Sequence, residues 1–178
     1  MPRVQFPVAA VLSLLSTVAW AEGFSVLGFE MGKTSPAQVI EAVGPKGKIH
    51  NSGTNPYSGG PMLKAEGAAF PVEGLNQVMF IFDPSEHLQA VVMKMDQARF
   101  DSVLNRLKAK YHVVTSDAPP VGNKVVRFHE GTTTIELSAL HMSFEMNVRY
   151  VNDSLLAKFE ADEKKAAAEK EKREASQF

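Results

Sequence analysis

Residues 144–151 alternate without a break: Phe144, Met146, Val148 and Tyr150 fall on one side of an extended chain, and Glu145, Asn147 and Arg149 on the other. Successive side chains of a strand point to opposite faces, so this pattern predicts a strand with one face in a core and one in water. Parallel sheets are covered on both faces, so a half-wet strand predicts antiparallel pairing. Strands are predicted likewise at 75–82, 88–95, 124–130 and 132–139, and at 24–31 with Leu27, Phe29 and Met31 on one face. Ile49 and 62–69 are weaker strand signals on either side of a polar loop over 50–61. Asp83-Pro84-Ser85-Glu86-His87 has the composition of a hairpin turn.

Two short helices interrupt these strands. Ser35 reads as an N-cap, Pro36 as the first helical residue and Gln38 as the capping-box partner, ahead of Val39, Ile40 and Val43 and a stop at Gly44-Pro45. Phe100, Val103, Leu104, Leu107 and Tyr111 then make a helical stripe opposite Asp101, Asn105, Arg106 and Lys108. A third helix is predicted to start at Asn152 or Asp153 and to be anchored by Leu155, Leu156 and Phe159. Beyond Phe159 it turns wholly polar: 158–174 holds six basic and six acidic residues, with Glu160 and Lys164, and Glu169 and Arg173, at i, i+4 spacing. The order predicts an α+β fold, an antiparallel sheet with two short helices packed on one face plus a charged C-terminal helix. A short amphipathic helix precedes antiparallel strands in each half, a faint internal duplication.

Residues 1–21 read as a signal peptide: Arg3 is followed by an apolar run over 8–20 that closes in Ala19-Trp20-Ala21. As a helix that run reaches only about 20 Å, less than the ~30 Å hydrocarbon core, so a retained span is not expected after cleavage. The expected organisation is a signal peptide at 1–21, a single α+β domain at 22–151 and a charged helix or frayed tail at 152–178. The expected location is periplasmic or secreted. A chain of 178 residues with 44% apolar residues can build its own core without staples. Lys and Arg number 19 against 20 Asp and Glu, so there is no basic excess for a nucleic-acid backbone. With no cysteine, disulfides, thiolate metal sites and a lipid-bearing Cys are excluded.

No reactive centre is expected. Gly32-Lys33-Thr34 ends like a phosphate-binding loop, but Leu27 stands where the pattern needs its first glycine. The five histidines have no metal-ligand spacing, no serine sits in a nucleophile elbow, and neither metal nor cofactor is predicted. Asn152-Asp153-Ser154 fits a glycosylation acceptor and equally a helix cap. Asn51 to Gly60, with Asn55 and Tyr57, has the composition of recognition loops, a rigid aromatic among small polar residues. Arg127, His129, Glu136, Glu145 and Arg149 would share the wet face of the late strands, a second candidate surface. The partner-binding residues proposed from sequence are therefore Asn55, Tyr57, Arg127, His129, Glu145 and Arg149.

The segment from Gly28 to Val39, the pair Phe80-Ile81-Phe82-Asp83 and Leu88-Gln89-Ala90-Val91, and the helix from Phe100 to Tyr111 together resemble small exported domains of the SmpA/OmlA and β-lactamase-inhibitor-protein-like group. The resemblance implies a helix-on-antiparallel-sheet domain that binds another protein. Gly32-Lys33-Thr34 replaces the group's usual Gly-Met-Thr, and the missing cysteine removes its lipid anchor. The expected function is a non-enzymatic periplasmic domain that binds an envelope protein or an enzyme it inhibits. The alternatives are a small hydrolase using His129 or His87 with nearby carboxylates, and a carrier of a small apolar ligand suggested by eight methionines.

Overall fold

The computed structural model describes residues 23–177; the signal-peptide reading of 1–21 lies outside them. The chain runs β1 (Ser25–Val26), β2 (Phe29–Glu30), α1 (Pro36–Val43), β3 (Ile49–Thr54), β4 (Pro61–Glu66), β5 (Leu75–Phe82), β6 (Leu88–Asp96), α2 (Phe100–Lys110), β7 (His112–Asp117), β8 (Lys124–Glu130), β9 (Thr133–Ala139), β10 (Glu145–Asn152) and α3 (Asp153–Ala175). Strands β3 to β10 form one antiparallel sheet in the order β3-β4-β5-β6-β10-β9-β8-β7. The fold is α+β, and its antiparallel pairing is the one that the alternation of the late strands implies.

That strand order reads as two mirrored meanders. One helix leads into four consecutive strands in each half, α1 into β3–β6 and α2 into β7–β10, and the last strands, β6 and β10, pair antiparallel at the centre. The internal duplication is thus a property of the topology. Both outer strands carry an irregular register, at Asn51/Thr54 in β3 and Val113/Thr115 in β7, a feature by which edge strands discourage further pairing.

Helices α1 and α2 cover one face. Val39 and Val43 of α1, and Phe100 and Leu107 of α2, join Phe80, Phe82, Val91, Phe128, Ile135, Leu137, Met146 and Val148 in the main core. α1 begins as its sequence dictates: the Ser35 N–H donates to Gln38 Oε1 at 2.8 Å and the Gln38 N–H to Ser35 Oγ at 3.4 Å, a complete capping box. The 83–87 turn closes the β5–β6 hairpin, its Asp83 carboxylate accepting the His87 N–H.

Four expectations are corrected. The strand at 24–31 is a tight hairpin, because Leu27 (φ 54°) and Gly28 (φ 86°) both take the left-handed conformation of a two-residue turn between β1 and β2. The polar loop is only half as long, since 49–54 pairs with β4 as strand β3. Strand β7 has no counterpart in the sequence reading. Phe144 lies outside β10 and is 92% exposed instead of facing the core with Met146, Val148 and Tyr150.

Candidate functional site

The third helix packs on the face opposite α1 and α2. Asn152 caps it, its Oδ1 accepting the Ser154 N–H at 3.0 Å, and Leu155 seats its first turn against Ile81 and Ala90. From Ala161 to Gln177 every residue is exposed, so the helix leaves the sheet after two turns and projects as a solvated arm. Glu160 faces Arg127, with 4.0 Å between Oε1 and Nη1, rather than serving only its own helix.

Beneath that first segment the outer face is organised in two cross-strand rows. Ile81, Ala90, Val151, Thr134 and His129 stand side by side from β5 to β8, and Met79, Val92, Arg149, Glu136 and Arg127 form the next row. Each row changes character in the second meander. Its β5 and β6 positions are apolar and its β8 and β9 positions polar, so an apolar floor runs into an ionic wall. The wall is a chelate: Glu136, the most enclosed of the three, takes Arg127 Nε at 3.0 Å and Arg149 Nη1 at 3.3 Å. Both guanidiniums keep donors free for something else.

Helix and sheet enclose a groove of about 390 Å³ between them. Ile81, Ala90, Val92 and Val151 line it from the sheet, Leu155, Leu156 and Phe159 from α3, and Arg127, Thr134, Glu136 and Arg149 from the polar side. Asn55 and Tyr57 close one end, and Glu160 and Glu163 the helix rim. The 55–60 turn is held firmly. Asn55 Oδ1 accepts the N–H groups of Tyr57 and Ser58, the Asn55 N–H donates to the Gly60 carbonyl, and the buried Ser58 hydroxyl donates to the Phe82 carbonyl at 2.7 Å. Tyr57 then packs edge-on against Phe159.

Of the six residues proposed from sequence, Asn55, Tyr57, Arg127 and Arg149 meet in this groove. His129 does not line it: its Nε2 lies 2.9 Å from Asp153 Oδ2, and Thr134 donates to the other oxygen of that carboxylate at 2.7 Å. His129 therefore pins the start of α3 to the sheet. Glu145 is at the far end of β10, paired with Lys94 at 3.3 Å. His87 sits with Asp83 in the β5–β6 turn, a separate pair from His129 and Asp153. Among the described residues no three His, Asp or Glu side chains gather to hold a metal ion.

Sequence reasoning named Leu155, Leu156 and Phe159 as the anchor of the third helix but missed the apolar floor they face. The signal for the floor is the unbroken run Val78 to Phe82, which lacks the alternation of a half-wet strand and so requires cover on both faces. On the inner face, burial together with the neighbouring Tyr111 phenol pushes the Tyr150 hydroxyl well above the ordinary tyrosine range. That residue belongs to the core under α2. Comparisons with protein-family models, curated proteins and solved structures give no match. Among the described residues no helix is long and apolar enough to cross a membrane.

Proposed function

We propose that this chain is a non-enzymatic binding domain of the cell envelope, exported as a periplasmic or secreted protein, which receives an extended segment of another protein between α3 and the outer sheet face. One observation carries the reading: an apolar floor and a two-arginine wall lie side by side in an open groove beside a rigid, presented Tyr57. Bulky apolar side chains of the partner suit Ile81, Val92 and Leu156, and a carboxylate suits the free donors of Arg149. The protein binding implied by the resemblance to exported helix-on-sheet domains points the same way. Recovery of a stoichiometric partner from envelope extract, lost with Tyr57→Ala and with Val92→Arg, is the expected result. Equal recovery by wild type and both variants contradicts it.

A second reading, a carrier of a small apolar ligand, is favoured by the groove's volume, which falls in the range of small-ligand sites. Native mass spectrometry of protein taken from its own source distinguishes the two, a discrete small-molecule adduct marking the carrier.

A further inference from the structure

A second surface lies at the end of the sheet where β7 meets β8 and β9 meets β10, and it owes nothing to the groove. Residues 118–123 and 140–144 form two neighbouring loops, joined where the His141 N–H donates to Asn123 Oδ1 at 2.8 Å. Val121, Leu140, Met142 and Phe144 project from them with 74, 65, 86 and 92% of their surface exposed. Isolated exposed apolar residues are ordinary, but four large ones on two tethered loops are a patch. Met142 is held at φ 61°, where a side chain other than glycine or asparagine is disfavoured, and this strained position carries an outward apolar group.

The chemistry of the loops selects the occupant. Their eleven residues contain no Asp, Glu, Lys or Arg, although 22% of the chain is charged. Several of their polar groups already have partners within the chain: the Ser143 hydroxyl donates to the Glu145 carbonyl and accepts its N–H, the Ser143 N–H donates to the Leu140 carbonyl, and the Phe144 carbonyl accepts from the Gln97 N–H. A specific protein interface surrounds its apolar centre with a polar rim and about one hydrogen bond per 100–200 Å². These loops supply no charged side chain for such a rim, and its side-chain hydrogen bonds would fall to the exposed Asn123 and His141, the first of which already accepts the His141 N–H. A convex, uncharged, apolar projection suits a medium that deforms around it and asks for no directional partner.

We propose that these two loops form a wedge that docks on a lipid bilayer, with Leu140, Met142 and Phe144 entering the boundary between headgroups and acyl chains. The driving force is removal of apolar surface from water, so docking requires no anionic lipid and persists in high salt.

The absence of cysteine makes a local test available, since a single introduced thiol is a unique labelling site. An environment-sensitive fluorophore on Met142→Cys is expected to shift to the blue with phosphatidylcholine vesicles, at low and high salt alike. The same fluorophore on Ser85→Cys, in the β5–β6 turn at the opposite end of the sheet, stays unchanged. Combining Leu140→Ser, Met142→Ser and Phe144→Ser in the full chain weakens vesicle binding by at least about tenfold with the unfolding midpoint unaltered. No shift at position 142, an equal shift at position 85, a shift produced by protein concentration without vesicles, or full binding by the triple variant overturns the proposal.

Discussion

Tyr57, in the turn between β3 and β4, meets Phe159 of α3 edge to face, with ring centroids 4.9 Å apart and planes at 77°. The two residues lie far apart in the sequence, and their contact joins the 55–60 turn to α3 where both line the groove. Below it, Leu155 buries the first helical turn, and to the side the Asp153 carboxylate ties the helix start to His129 and Thr134. Residues 153–160 thus form a wall fastened by a few contacts, while every residue of the arm from Ala161 to Gln177 is exposed.

The Tyr57–Phe159 contact has a measurable energy. In a double-mutant cycle of Tyr57→Ala and Phe159→Ala, urea unfolding is expected to give a coupling of about 0.5–1.5 kcal/mol, the range for aromatic pairs. A coupling indistinguishable from zero means that the two rings do not brace α3 against the 55–60 turn.

Removing residues 161–178 is expected to leave unfolding stability within about 0.5 kcal/mol of wild type, because Ala161 to Gln177 are exposed throughout. Leu155→Ala is expected to cost about 2–3 kcal/mol, or to release α3 as a unit visible as faster amide exchange over 153–160. Chemical denaturation and hydrogen exchange check both.

Gly60 closes the 55–60 turn where a Cβ would run into the carbonyls of Phe82 and Asp83. Gly60→Ala is expected to destabilise the protein by about 1–3 kcal/mol and to displace Tyr57. A thermal melt reports the first effect, and the tyrosine ring signals in NMR the second.

Tyr150 stays neutral in the folded chain at a pH where the unfolded chain has begun to ionise. Its folded value is raised, so its contribution is complete below about pH 10 and is lost as pH rises above that, at up to about 1.4 kcal/mol per pH unit. Denaturant melts are expected to show wild type losing stability faster than Tyr150→Phe above about pH 10. Parallel curves would show that burial of this hydroxyl has no effect on its ionisation.

Much of the architecture is legible because the relevant residues state a period or a cap. The capping box at Ser35, the stripe from Phe100 to Tyr111 and the alternation from Met146 to Tyr150 each describe one-sided burial, and each element forms where its pattern lies. Strand β7 has almost no buried side chain, and β3 is His-Asn-Ser-Gly for most of its length, so pairing alone makes them strands. Leu27 gives no hint of a left-handed turn because its side chain disfavours one. The candidate groove was half visible: Asn55, Tyr57, Arg127 and Arg149 carry polar or aromatic signals of exposure, whereas Val92 and Val151 look like core until α3 is seen to cover only part of their face.

The most direct measurement of the central claim is photo-crosslinking in intact cells, with a photoreactive amino acid at Val92 on the groove floor and, separately, at Ser116 on the edge strand β7. A partner polypeptide captured in discrete yield from position 92, not from 116, and lost when Arg149→Glu is added, is the predicted result. Adducts of the same identity and yield from both positions, or none from position 92 in cells that carry the folded protein, contradict a groove that receives another protein.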